Sequence, residues 1–330
     1  MDNTILKELL KEYEKKQTRA NIDLMNRKQK LYSLSKDLVI IDDELNKYAI
    51  DAAKKILSSN DKSYLSSLKK KISELKTKKS NILKSLGVDE NFLSLQYECS
   101  SCKDTGYITI SGNTQMCNCL KQKLFDIEFN KCNITNLQNE NFNNFNLEYY
   151  SEVFDQEKGI SPRDNIKIIK EIALEFIDNF EQPNNQNLLF TGGTGLGKTF
   201  LSNCIANEIL KLGKTVLYQT APVMLDSVID FRFGKSSNQQ NIYYNLLNID
   251  LLIIDDLGTE YLNSIKITEL FNIINTRLIN QNNKITKTII STNLSIQNLF
   301  SNYDERIVSR IRGYYKICPF FGDDIRFLKK

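Results

Sequence analysis

Asn187-Leu-Leu-Phe-Thr-Gly-Gly-Thr-Gly-Leu-Gly-Lys-Thr-Phe-Leu-Ser202 is the stretch from which the rest of the chain is best read. Leu188-Leu-Phe-Thr191 has the character of a short buried strand, and Leu201, Cys204, Ile205, Ile209 and Leu212 follow at helical spacing. Between them stands Gly192-x-x-x-x-Gly197-Lys198-Thr199, a P-loop. Gly192, Gly193, Thr194, Gly195, Leu196 and Gly197 supply backbone N–H groups that curl around an anion, and Lys198, Thr199 and Phe200 open a helix whose positive dipole end faces it. The lysine suits the β- and γ-phosphates of ATP, and the threonine hydroxyl suits Mg²⁺.

Length and composition bound what surrounds this motif. A chain of 330 residues accommodates one domain of about 150–200 residues and a smaller partner. A net charge of +4 is too mild to announce a nucleic-acid binder by itself. No apolar run approaches the roughly 20 residues of a membrane span, and Met1-Asp-Asn-Thr-Ile-Leu-Lys7 lacks the apolar core of a signal peptide, so a cytosolic protein without a membrane partner is expected. In that compartment seven cysteines read as metal ligands or buried thiols. Histidine is absent, which leaves acid–base chemistry to carboxylates, lysines or water and any zinc site to sulfur or carboxylate.

From the N-terminus, Ile5, Leu9, Leu10 and Tyr13 suggest a helix over 4–25, and Leu31, Leu34, Leu38, Ile41, Leu45, Tyr48 and Ala52 form a heptad seam. Leu65, Leu68, Ile72, Leu75, Ile82 and Leu86 form a second, broken only by Lys79, with the polar turn Ser58–Ser63 between the two. Residues 1–95 are therefore expected to be a helical, coiled-coil-like arm built on an antiparallel hairpin. Such an arm is either self-contained, with its lysine clusters as a wet face, or a docking surface for a partner.

Gly87 ends the second helix, and residues 96–132 differ in kind. Cys99-x-x-Cys102 and Cys117-x-Cys119 flank the turn Lys103-Asp-Thr-Gly106, the strand Tyr107–Ile110 and the turn Ser111-Gly-Asn113. Two cysteine pairs, each on its own turn, make the layout of a closed structural Cys₄ Zn²⁺ module, and Cys132 falls outside it. Residues 133–160 read as an asparagine-rich linker carrying Phe142-Asn-Asn-Phe145-Asn-Leu147, aromatic residues that pack either beside an adenine or on the surface of the following domain.

Residues 161–330 are expected to alternate helix and strand. The helix Pro162–Phe180 precedes the P-loop; Thr215–Tyr218 is a second strand, followed by helices near 221–232 and 239–248. Leu251-Leu-Ile-Ile-Asp255-Asp256-Leu-Gly258 is an apolar strand ending in paired carboxylates. Asp255 is suited to the Mg²⁺ shell and Asp256 to polarising the attacking water. A helix over 264–281 leads to the strand Lys287–Thr292, whose polar tip Asn293 is suited to orient that water or to meet the γ-phosphate. Asp304–Arg312 reads as a helix and Tyr314–Phe320 as the last strand. The expected fold is α/β, a P-loop core with a parallel sheet and its site at the strand C-termini. The 37 residues after Asn293 are too few for a full helical lid.

Gly-Gly-Thr-Gly-Leu-Gly-Lys-Thr, Ile-Ile-Asp-Asp-Leu-Gly, Ser-Thr-Asn and Glu-Arg-Ile-Val-Ser-Arg-Ile together resemble the AAA+ ATPases of the DnaC/DnaI/IstB group. Cys-Ser-Ser-Cys-Lys-Asp-Thr-Gly-Tyr ahead of Cys-Asn-Cys resembles the zinc-binding region of DnaI-type bacterial replicative helicase loaders. The resemblance covers residues 97–330 and implies that Lys198 and Thr199 bind phosphate and Mg²⁺, Asp255 binds the metal, Asp256 takes the catalytic carboxylate position and Asn293 is sensor 1. It further implies that Arg310 is an arginine finger given to a neighbouring subunit, with Arg306 the other candidate, and that Arg326 is sensor 2-like. Aspartate at 256, where most AAA+ proteins carry glutamate, implies slow turnover. The implied function is ATP-dependent loading of a hexameric, DnaB-type replicative helicase onto single-stranded DNA during initiation, with self-association through the AAA+ domain. An IstB-like transposition helper is the alternative, and it lacks the helical arm and Cys₄ module. In a loader the DNA path falls in 221–240, where Phe231, Arg232, Phe233 and Lys235 pair aromatic faces with cations; the same residues also read as core phenylalanines beside solvated cations.

Overall fold

Apolar runs without alternation are strands covered on both faces. The computed structural model, which describes residues 3–58, 62–128, 139–182, 186–234 and 239–327, places these runs in one parallel sheet. Two compact units are distinguished, residues 8–115 and residues 116–330 together with the start of the chain up to Lys7.

In chain order the helices of the first unit are α1 (Asn3–Leu34), α2 (Lys36–Ser58) and α3 (Lys62–Ser85). The helix expected to stop near residue 25 continues to Leu34, and the first heptad seam is cut at Ser35. Leu34 consequently lies 69% exposed, while Leu31 and Leu38 are buried with Leu83. Serine competes for backbone hydrogen bonds and favours helix ends, which accounts for the break. Leu68, Leu75 and Leu83 carry the buried face of α3. Lys79, the apparent fault in that seam, donates to Asp42 Oδ1 at 2.5 Å while Tyr32 donates to Asp42 Oδ2 at 2.5 Å, so the polar position is paired. Helix α3 closes as expected: Gly87 adopts φ 66°, its N–H reaches Lys84 O, and Val88 N–H reaches Leu83 O, a Schellman ending.

Next come β1 (Tyr107–Ile110) and β2 (Asn113–Met116), paired in a two-stranded sheet, and α4 (Asn118–Glu128). Strand β2 was not expected. Ser111 and Gly112 both take positive φ, 50° and 82°, the backbone of a tight hairpin turn, and the polar sequence Asn-Thr-Gln-Met gives no strand signal of its own.

The sheet of the second unit contains β3 (Asn187–Thr191), β4 (Val216–Thr220), β5 (Leu251–Leu257), β6 (Lys287–Thr292) and β7 (Tyr315–Pro319). Its order is β4-β5-β6-β3-β7, with β3 parallel to β6 and β7. Helices α5 (Pro162–Asp178) and α6 (Lys198–Lys211) precede and follow β3. Helices α7 (Ala221–Arg232) and α8 (Gln239–Asn248) join β4 to β5, α9 (Ser264–Asn280) joins β5 to β6, and α10 (Ile296–Asn302) and α11 (Glu305–Tyr314) join β6 to β7. Alternate strand residues serve opposite faces. Leu188, Phe190, Tyr218, Ile253 and Ile289 pack with α5 and α6, and Leu189, Leu217, Leu252, Ile254 and Ile290 pack with α7, α9 and α11. Each such side chain contributes about 2 kcal/mol of burial. Leu212, expected at helical spacing in α6, instead follows its last turn and is 52% exposed.

Arg277 of α9 is 1% exposed and donates to Leu246 O and Lys287 O at 2.7 Å and to Thr288 Oγ1 at 2.9 Å, tying α8 and β6 together; burial lowers its pKa to about 9. Among the described residues β7 is followed by a single 3₁₀ turn, Ile325–Phe327, rather than a helical lid.

Candidate nucleotide site and cysteine cluster

Strand β3 is buried at every residue and delivers the glycine-rich turn at its C-terminal end. Gly192 has φ 134°, and a Cβ there would lie 2.1 Å from Phe320 O; Gly197, with φ 89°, would meet the Tyr150 hydroxyl at 2.5 Å. Only glycine fits either position. The chain just beyond β7 braces the turn, since Phe320 N–H donates to Thr191 O at 2.7 Å and Ile325 N–H to Gly195 O at 2.9 Å. Tyr150 donates to Leu196 O at 3.1 Å from the other side.

Lys198 opens α6 and is 6% exposed. Its ammonium donates to Gly192 O at 2.7 Å, Gly193 O at 2.6 Å and Asn293 Oδ1 at 2.8 Å. Burial lowers its pKa, against the opposing pull of Asp255 and Asp256. The first-turn N–H groups of α6 have no partner within the helix and point toward the same space.

A register irregularity between Ile254 and Leu257 ends the regular pairing of β5 with β6, and Asp256 adopts the left-handed backbone, φ 54°. The two carboxylates thereby take different surroundings. Asp255 is 4% exposed and accepts from Thr199 Oγ1 at 3.1 Å, from the Tyr218 and Ser291 hydroxyls, and from Asp256 N–H at 3.1 Å. Asp256 is half-buried and meets Asn293 Nδ2 at 3.4 Å; burial first, and Asp255 second, raise its pKa. An ionised carboxylate beside a hydroxyl is a hard-oxygen pair that fits Mg²⁺.

A cleft of about 410 Å³ opens over these groups, lined by Thr194–Phe200, Asp256, Asn293, Arg326, Ile325 and Glu140. Of the residues expected at a nucleotide, Gly192 to Thr199, Phe200, Asp255, Asp256, Asn293 and Arg326 thus converge. Arg326 is held by Asp324, with Nη2 at 2.5 Å from Oδ2. Arg310 and Arg306 have partners in their own chain: Arg310 Nε donates to Asn275 Oδ1 at 2.9 Å, whereas Arg306 pairs with Asp304 and lies over the Phe271 ring.

Within the asparagine-rich segment, the described residues 139–160 hold local turns. Asn141 and Asn146 cap short turns over 142–144 and 147–149, and Phe145, 9% exposed, stacks with Tyr150 and packs on Phe200. Phe145, Phe200 and Ile325 also share a small apolar pocket, adjoining the main cleft through Phe200 and Ile325. Sequence reasoning missed Tyr218, Tyr150 and Glu140, which are distant in sequence and carry no motif, while Ser291 stands in Ser-Thr-Asn but was assigned no role there.

The aromatic–cation group of α7 is partly internal. Phe231 stacks on Tyr243, and Arg232 lies over Tyr243 and pairs with Glu269 at 2.9 Å, which leaves Phe233 exposed at 62%. Lys235 and Cys132 lie outside the described residues.

The four thiols of Cys99, Cys102, Cys117 and Cys119 lie within 4.8 Å of one another. The first pair occupies the expected turn, where Asp104 Oδ1 and Oδ2 accept from Cys99 N–H at 2.8 Å and Glu98 N–H at 2.9 Å. The second pair differs from expectation, because Cys117 stands at the start of α4 and Cys119 lies in its first turn. A helix N-terminus favours thiolate, and four clustered thiolates fit a tetrahedral Zn²⁺.

A model of the IstB-like ATP binding protein family matches residues 138–310, just over half of the chain. The replicative helicase loader DnaC of Escherichia coli strain K12 is 26% identical over 140 residues, covering 42% of this chain and 55% of that protein. DnaC of Buchnera aphidicola subsp. Acyrthosiphon pisum, strain APS, is 25% identical over 175 residues, 53% of this chain and 63% of that protein. The chain therefore spans little more than half the length of these curated relatives. A solved structure described as the crystal structure of the DnaI is similar at 24% identity with a TM-score of 0.41, covering 50% of this chain and 85% of that one. Among the described residues no helix is long and apolar enough to cross a membrane.

Proposed function

Because this chain belongs to the IstB-like ATP-binding family, we propose that it is an ATPase that loads a hexameric replicative helicase onto single-stranded DNA. The observation that carries the ATPase part is the convergence of Lys198, Asp255, Asp256 and Asn293 at the mouth of one glycine cradle. Lys198 and the first-turn N–H groups of α6 hold the phosphate charge. Thr199 and Asp255 would hold Mg²⁺, which would supply neutralisation of the phosphate charge. Asp256, its pKa raised and its orientation set by Asn293, takes a proton from the attacking water. Phe145, Phe200 and Ile325 offer an apolar wall for the base.

The loader role rests on the DnaC relatives and on the helical segment and cysteine cluster ahead of the ATP-binding core. We assign residues 1–95 to partner binding, 96–132 to a Zn²⁺ module, 133–160 to the connection and 161–330 to the ATPase domain. Phe233 and the neighbouring cations serve single-stranded DNA, and the subunits associate through the ATPase domain so that Arg310 acts on the neighbour's nucleotide. The rival is an IstB-like transposition helper. A pull-down of the purified chain with a replicative helicase, with and without ATP, separates them: ATP-dependent capture is expected, and its absence at micromolar concentrations of both proteins sinks the loader reading.

A further inference from the structure

Tyr218 lies on β4, the strand beside β5, and is 2% exposed. The parallel register sets Thr220 opposite Asp255, so Tyr218, two residues earlier, shares a face with both, and its ring packs among the residues buried against α6. Its hydroxyl extends from that packed ring to the end of the strand. There it donates to Asp255 Oδ2, the same oxygen that accepts from Thr199 Oγ1 at 3.1 Å. The other oxygen, Oδ1, accepts from Ser291 and from Asp256 N–H. The four donors come from different places in the chain, and two of them, Tyr218 and Thr199, meet on a single oxygen.

The geometry points to Tyr218 as the positioning residue that locks Asp255 and Thr199 into a single preorganised Mg²⁺-binding pair. This rests on the reading of residues 192–199 as the nucleotide cradle. A buried tyrosine ordinarily satisfies its hydroxyl on whatever acceptor is nearest. Tyr218 is distinguished by meeting the Thr199 hydroxyl on one carboxylate oxygen, so its loss frees Asp255, and with it the acceptor that holds Thr199, to rotate while the ring's packing survives in phenylalanine.

The test uses the full chain and a fluorescent ATP analogue titrated with Mg²⁺ from an EDTA baseline. Tyr218→Phe is expected to raise the half-saturating Mg²⁺ concentration about tenfold while leaving affinity in EDTA within about twofold of wild type, the scale of one hydrogen bond to a charged group. In an Asp255→Asn background the same substitution is expected to add nothing. Each variant supplies its own EDTA reference, so a general loss of stability lowers both readings and does not imitate the effect. An unchanged Mg²⁺ midpoint in Tyr218→Phe, or a shift that persists beside Asp255→Asn, overturns the proposal. Wild-type protein that binds the analogue neither in EDTA nor in Mg²⁺ instead overturns the cradle reading beneath it.

Discussion

Asp256 combines a left-handed backbone with a raised carboxyl pKa, and both follow from where β5 stops pairing regularly with β6. Aspartate tolerates φ 54° better than most residues, and strain of this kind persists where surrounding structure enforces it. Asp256→Asn keeps that backbone and removes the base, so ATP hydrolysis is expected to fall at least about a hundredfold with nucleotide affinity retained, as steady-state and binding assays will report. The stability effect has a definite sign. A carboxyl whose folded pKa is raised favours the fold when protonated, and that contribution is complete below the unfolded value and lost as pH rises through the folded one. Asparagine imitates the protonated form; the variant should therefore melt above wild type at neutral pH, with the difference closing on acidification. A variant that melts lower at pH 7, or hydrolyses at the wild-type rate, refutes the assignment. The paired aspartates were legible in the sequence because an apolar run ended in them. Their division into a buried member held by Tyr218 and Ser291 and a strained member facing Asn293 was not, since it depends on neighbouring strands.

At the scale of elements, the cysteine cluster joins a turn to a helix start. Cys99 and Cys102 lie in a loop held by Asp104, and Cys117 and Cys119 begin α4, so a metal there fastens the β1–β2 hairpin at both ends. The purified protein should carry one Zn²⁺ per chain, lost in Cys99→Ser or Cys117→Ser together with a clear drop in melting temperature, because metal binding and local folding are coupled. Metal analysis finding less than about half occupancy after reducing purification would count against the site. The cysteine spacing was readable without a structure. Strand β2 was not, because Asn113–Met116 is polar and is held by its turn and its partner strand rather than by an apolar face. Helices α2 and α3 were legible from their heptads, while the break at Ser35 fell inside an unbroken seam and was hidden by it.

Across the whole molecule, the trans role proposed for Arg310 turns on whether its charge is already neutralised within its own chain. In its own chain it meets the neutral amide of Asn275 and no carboxylate among the described residues, so its charge is not neutralised there. Arg310→Ala is expected to leave ATP affinity nearly intact and to depress assembly-stimulated hydrolysis by about 10³-fold, the scale set by arginine fingers. Mixing Arg310→Ala with Lys198→Ala protein should restore activity, since one variant supplies the cradle and the other the arginine. No restoration at concentrations where the subunits associate by light scattering would sink the arrangement. The sequence by itself determined the parallel α/β core, the cradle and the paired carboxylates. Strand burial, glycine geometry and a lysine at a helix start are local requirements written in consecutive residues. Only the tertiary structure decided which hydroxyls hold Asp255, which strand end braces Gly192, and that Phe145 and Tyr150 belong to the core around the cradle. Those relations join residues far apart in the chain through strand order and register, and no local pattern of the chain encodes which strands become neighbours.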